Sequence, residues 1–150
     1  MNKTPRILVR LLAVTALAAS AVVGSASSAQ ATIHAYPATG GTCVGTQIKR
    51  CLELRFDDVN NRFRARAEVT DTAGGHDYNV DMAWVDTDIT YQSGDGVRSA
   101  EWERLETPLA YCTQGSTVSI TFAAGFTWQN ASTGAWDGET RVGAASFVCR

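Results

Sequence analysis

The stretch from Leu52 to Asp71 restricts the fold of this chain more than any other. Leu52, Leu54 and Phe56 alternate with Glu53, Arg55 and Asp57; past Asn60-Asn61, Phe63, Ala65, Ala67 and Val69 alternate with Arg62, Arg64, Arg66 and Glu68. A period of two puts successive side chains on opposite faces of a strand, so the stretch predicts a β-hairpin with one face in a core and the other in water. Asn tolerates positive φ, which suits Asn60-Asn61 to a primed two-residue turn, and a four-residue loop over residues 58–61 keeps the same faces. In either register Phe56 and Phe63 share one side of the sheet.

The rest of the chain reads as more short strands. Tyr78, Val80, Met82 and Trp84 share one face and Val85, Thr87, Ile89 and Tyr91 the other, so the apolar set changes sides between Trp84 and Val85. A β-bulge there, or a strand crossing between sheets, accounts for the change. A strand is expected near Ala100 to Leu105, with a short helix ended by Pro108 as the alternative. Val118, Ile120, Phe122 and Ala124 form a second strong alternation that Phe126 and Trp128 continue; residues 130–138 read as a loop holding Trp136, and Thr140 to Cys149 as a final strand. Trp84 and Trp128, on apolar faces, are expected in the core. Six to seven strands without a long amphipathic helix predict an all-β fold, an antiparallel β-sandwich, immunoglobulin-like or a related barrel. Trp84 lies too far beyond Cys51 for the antibody-type cysteine-tryptophan-cysteine pattern.

Ahead of this domain, Lys3, Arg6 and Arg10 precede the apolar run Leu11 to Val23, and Ala29-Gln30-Ala31 has the small-x-small form of a signal-peptidase site. The reading is a cleaved signal peptide over 1–31, an extended lead-in over 32–42 with His34 solvated, and a disulfide-bearing domain over 43–150. The Ala-rich signal has a bacterial look. The chain's formal charge is −2, with all 15 acidic residues but only ten of the 13 basic ones beyond residue 31, so the exported part carries about −5. Such a balance points to neither nucleic acid nor an anionic membrane as partner. Cys43, Cys51, Cys112 and Cys149 all lie in the exported part, and an even count in an oxidising compartment predicts two disulfides, Cys43-Cys51 and Cys112-Cys149, the second tying the last strand to an inner one. No cysteine pair has the spacing of a zinc knuckle, and no metal or cofactor is expected.

The candidates for chemistry are scattered. Glu68, Asp71, Asp77, Asp81, Asp86, Asp88 and Asp95 fall in a stretch from 67 to 97 without Lys or Arg. They are expected to answer the Arg62-Arg64-Arg66 row across strands; a Ca²⁺ site on Asp86 and Asp88 is the competing reading. His76 beside Asp77 is the one His-acid pair in sequence, in a Gly-rich turn, and no nucleophile elbow accompanies it. Lys49 and Arg50 beside Cys51 would suit the pocket of a trypsin-like protease, were they on a short closed loop. Trp102, between glutamates, and Trp136, beside Asp137, are the aromatics expected to be exposed, and flat exposed rings stack on sugars. With a cysteine near each end and aromatics in late loops, the layout resembles the small cellulose-binding β-sandwich modules of secreted bacterial hydrolases; a Cys43-Cys149 bridge would strengthen that likeness. The expectation is a secreted, extracellular, monomeric, non-catalytic recognition domain whose partner is a polysaccharide or a protein, with a carbohydrate-binding module-like protein, a protease inhibitor and a small hydrolase as alternatives.

Overall fold

A computed structural model describes residues 32–73, 77–94 and 101–150. The expected signal peptide, His76 and Asp95 lie outside these residues. Ten strands follow in order: β1 (Ile33–Pro37), β2 (Cys43–Val44), β3 (Ile48–Asp57), β4 (Arg62–Asp71), β5 (Tyr78–Thr87), β6 (Tyr91–Ser93), β7 (Trp102–Glu106), β8 (Ala110–Tyr111), β9 (Thr117–Asn130) and β10 (Trp136–Val148). They form two antiparallel sheets. The first runs β1-β3-β4-β7, with β2 also on β3 and β8 also on β4; the second runs β10-β9-β5-β6. Seven strands have five residues or more, β1 among them, and β2, β6 and β8 are short additions at sheet edges.

The central hairpin forms as read. Phe56 pairs with Phe63 and Asp57 with Arg62, which leaves the four-residue loop 58–61. Asn61 sits at φ 48°, a left-handed conformation that Asn accepts more readily than most residues. Asp57 holds the loop: Oδ1 accepts from the backbone N–H groups of Val59 and Asn60, both at 3.2 Å, and Oδ2 from the Asn60 side chain at 2.7 Å.

Between the sheets lie Leu52, Leu54 and Phe56 of β3, Phe63 and Val69 of β4, Val80, Met82 and Val85 of β5, and Ile120, Phe122 and Phe126 of β9, all buried. Phe147 of β10 stacks on Phe56 at 4.3 Å between ring centroids and meets the edge of Phe63 at 5.5 Å, joining the last strand to the central hairpin. The side switch in β5 is a bulge, one residue earlier than expected: Met82 pairs with Phe126 and Trp84 with Gly125, so Ala83 is the extra residue. Trp84 is consequently not a core residue. Its indole crosses Gly125, where an added Cβ would stand 2.4 Å from Nε1.

Two further expectations change, and the strand expected near Ala100 to Leu105 is found in preference to the helix. The lead-in is a strand, β1, because its backbone completes the edge of β3; His34 is not simply solvated, since its Nε2 lies 3.2 Å from Asp58 Oδ2. Residues 102–106 are strand and not helix, paired along β4, and Thr107 closes that edge by donating its N–H to the Ala65 carbonyl at 3.0 Å and accepting the Ala65 N–H on Oγ1 at 3.1 Å. Trp136 opens β10 opposite Gln129 and is not inside a loop.

The bridges are Cys43-Cys51 and Cys112-Cys149, so the end-to-end arrangement of the cellulose-binding likeness is not the one adopted. Cys112 follows the edge strand β8 rather than an inner strand, so the longer bridge clamps the rim of the first sheet to the end of β10. The two bridges span sequence separations of 8 and 37. On the chain-entropy account they contribute roughly 2.5 and roughly 4 kcal/mol. Urea unfolding of the Cys112→Ser/Cys149→Ser variant is therefore expected to show the larger loss of stability, and that of Cys43→Ser/Cys51→Ser the smaller.

Candidate functional site

Strand parity puts Arg141 of β10 on the inward face, in line with Gly143, Ala145 and Phe147, and the residue is buried. A lone guanidinium between two sheets is costly unless its donors are used. Here they are used on backbone carbonyls: Nη1 donates to Thr42 at 2.9 Å and Arg50 at 2.8 Å, and Nη2 to Thr39 at 3.2 Å and Gly41 at 2.6 Å. Burial pulls the pKa of Arg141 below its ordinary value; Glu139 opposes that shift and Arg50 adds to it. The effect is to fasten the segment between β1 and β3 to the second sheet.

Next to this hub, Arg50 of β3 forms one wall of a cleft at the end of the sandwich. Its Nε pairs with Glu139 Oε2 at 2.7 Å, its Nη1 donates to the Ile48 carbonyl at 2.7 Å, and its guanidinium carbon lies 4.9 Å from the centroid of Trp128. Gly45 makes room for it: with φ 87°, a Cβ there would stand 2.2 Å from the Ile48 carbonyl oxygen and 2.8 Å from Arg50 Nη1. The cleft, about 520 Å³, is lined by residues 45–48 and Arg50 from the first sheet and by Tyr78, Trp128, Asn130, Thr133, Ala135, Trp136 and Asp137 from the second. Such a volume suits a small ligand or the end of a chain. The Tyr78 hydroxyl reaches Gln47 Oε1 at 3.4 Å and links the two walls. The far lip is a built turn, in which Asn130 Oδ1 accepts the N–H groups of Ser132 and Thr133 at 3.0 and 2.9 Å.

Of the two exposed tryptophans singled out from the sequence, Trp136 stands at the rim of this cleft and Trp102 does not line it. Trp102 opens β7 opposite Thr70, with the Arg104 guanidinium 5.3 Å from its ring centroid. Trp128, expected in the core, packs against the core and lines the cleft as well. Lys49 and Arg50 lie in β3 and not on a protruding loop.

The acidic stretch does not answer the arginine row as expected. Arg62 pairs with Asp57 at 3.0 Å and Arg64 with Glu106 at 2.6 Å; among the described residues only Glu68, shared by Arg66 and Arg104 at 3.2 and 2.8 Å, belongs to the stretch. Asp81 and Asp86 lie on β5, which belongs to the second sheet, whereas the neighbour of β4 in the first sheet is β7. Asp88 binds the backbone N–H of Thr121 at 2.7 Å and the Thr121 hydroxyl, and Asp71 the N–H groups of Ala73 and Tyr78. Among the described residues no group of three or more His, Cys, Asp or Glu side chains is placed to hold a metal ion. Comparison with protein-family models, with curated proteins and with solved structures finds no match to this chain.

The carboxylates of the hairpin end give a pH dependence. Asp57 is held below the ordinary carboxylate range chiefly by the Asn60 side chain, and Asp58 chiefly by its hydrogen bond with His34, burial opposing both. At Glu68 burial pushes the pKa up, and the hydrogen bonds from Arg104 and Arg66 more than offset it. A depressed folded-state pKa gives stability that is in full above the unfolded value and is lost as pH falls through the folded one. Thermal stability is expected not to depend on the titration of these groups at neutral pH and to fall as the pH drops through and below the ordinary carboxylate range. The Asp57→Asn/Asp58→Asn variant, scanned alongside, should lose less Tm on acidification than the parent.

Proposed function

We propose that the protein is an exported recognition domain that binds a short stretch of carbohydrate in the cleft at the end of the sandwich. The observation that carries this reading is the convergence of Trp128, Trp136 and Tyr78 with Arg50 and Asp137 on one cleft. Aromatic faces take up the C–H faces of sugar rings, and charged or amide side chains at their edges bond hydroxyl groups. Trp128 is fixed from behind by the core and from the side by Arg50, so its ring needs little ordering when a ligand arrives. Export rests on the signal-like segment over 1–31 together with two disulfides, which persist in oxidising compartments. No helix among the described residues is long and apolar enough to cross a membrane.

The domain works by binding and not by turnover. The His-acid contact in the described residues, His34 with Asp58, lies at the hairpin end, and Asp58 is engaged there by the Thr32 N–H and by Arg150. An inhibitor reading, which needs a basic side chain offered to a protease pocket, is disfavoured because Arg50 is occupied by Glu139 and Trp128.

Retention on insoluble polysaccharides, with cellulose, chitin and peptidoglycan as the panel, is the test. Trp136→Ala is expected to weaken retention on the bound polymer about tenfold or more, as removal of an anchoring aromatic does in other interfaces, and Trp102→Ala to leave it unchanged. Equal losses in both variants, or release of soluble sugar from the polymer, would contradict the assignment.

A further inference from the structure

We propose that Arg55, Arg62 and Arg64 form a second binding site, for an oxyanion, on the outer face of the first sheet. The register places Arg55 of β3 directly opposite Arg64 of β4, with Arg62 opposite Asp57 on the same face. Like charges directly opposed across an antiparallel pair are destabilising, and the adjacent Glu53 and Arg66 show the opposite-charge pairing that the same face could have used throughout.

The three arginines border a depression of about 150 Å³ together with Asp57, Ile33 and Leu109. The single carboxylate in it is already committed, accepting from Val59, Asn60 and Arg62. Glu106 and Glu53, which face Arg64 and Arg55, do not line the depression. Arg55 Nε has Glu53 Oε1 at 3.5 Å, a loose ion pair that leaves the charge of Arg55 incompletely answered. An anion oxygen between the opposed guanidinium groups of Arg55 and Arg64 would reduce the repulsion of the pair. Ile33 and Leu109, half-exposed apolar walls, limit the water that would otherwise screen the charges. Guanidinium groups present paired donors that match the edges of carboxylate, sulfate and phosphate, so the ligand class is an oxyanion borne by whatever lies outside the cell. The site is distinct from the cleft and does not rest on the carbohydrate reading.

Titration of the ¹⁵N-labelled protein with inorganic phosphate, inorganic sulfate and acetate, at constant ionic strength in chloride, tests the proposal through the side-chain Nε–H resonances. Saturable shifts at Arg55 and Arg64 are expected for at least one anion, and the anion bound most tightly names the group. Arg64→Gln should weaken that binding at least about tenfold, the value of one charge-assisted hydrogen bond, while Arg104→Gln, on the same face, should not. Arg55→Gln relieves the opposed pair and is expected to unfold at the parent's Tm or above it while losing the anion response. Shifts that stay linear with all three anions, or an equal loss in Arg104→Gln, would overturn the proposal.

Discussion

The guanidinium of Arg141 is the interaction on which the geometry of this molecule turns. Two sheets in face-to-face contact are held by apolar burial, which is strong but indifferent to the path of the connecting chain. Arg141 supplies the direction that burial lacks: it gathers the carbonyls of Thr39, Gly41, Thr42 and Arg50, three of them in a segment with no strand partner of its own. Around it the Ala38 N–H reaches the Leu52 carbonyl, the Thr39 N–H the Val142 carbonyl, and the Leu52 N–H the Thr42 carbonyl. The Cys43-Cys51 bridge lies beside the same junction.

From this junction the cleft follows by short steps. Fixing the Arg50 backbone sets where its side chain emerges, Glu139 on the strand that carries Arg141 takes its Nε, and Trp128 on the neighbouring strand receives its face. A charge pair and a ring are thereby held in one arrangement before any ligand is present. At the opposite end of β3, Asp57 and Asp58 order the hairpin loop and the start of β1, and three arginines border a depression whose single carboxylate, Asp57, is committed to that loop and to Arg62. The two ends of the same strand thus carry the two proposed sites.

Much of the fold was legible in the sequence, because the hairpin, β9 and the switch of sides in β5 each express a period of two. Both disulfides were legible from the cysteine positions, and Trp136 from its polar surroundings. The misses have physical causes. Trp84 looked like a core residue because the bulge falls at Ala83 and not after Trp84, which turns the indole outward onto Gly125. β1 was unreadable because an edge strand need not bury an apolar face, and its alternation is correspondingly weak. The cleft was invisible because Arg50, Tyr78, Trp128 and Asp137 lie on four different strands or their ends. One signal did exist: Arg141 shares the parity of Gly143, Ala145 and Phe147, and a charged residue on the inward face of a strand marks a buried polar junction.

Native-state hydrogen exchange in the Arg141→Met variant addresses the role of that junction most directly, since Met retains much of the side-chain volume and removes every donor. The prediction is that the amides of Thr39, Gly41 and Leu52 exchange about a hundredfold faster than in the parent, as for the loss of roughly 2 to 3 kcal/mol from unmade bonds to a charged group, while Val80 and Phe122 in the core change less. Unchanged protection at Thr39, Gly41 and Leu52 in a folded variant would contradict the account.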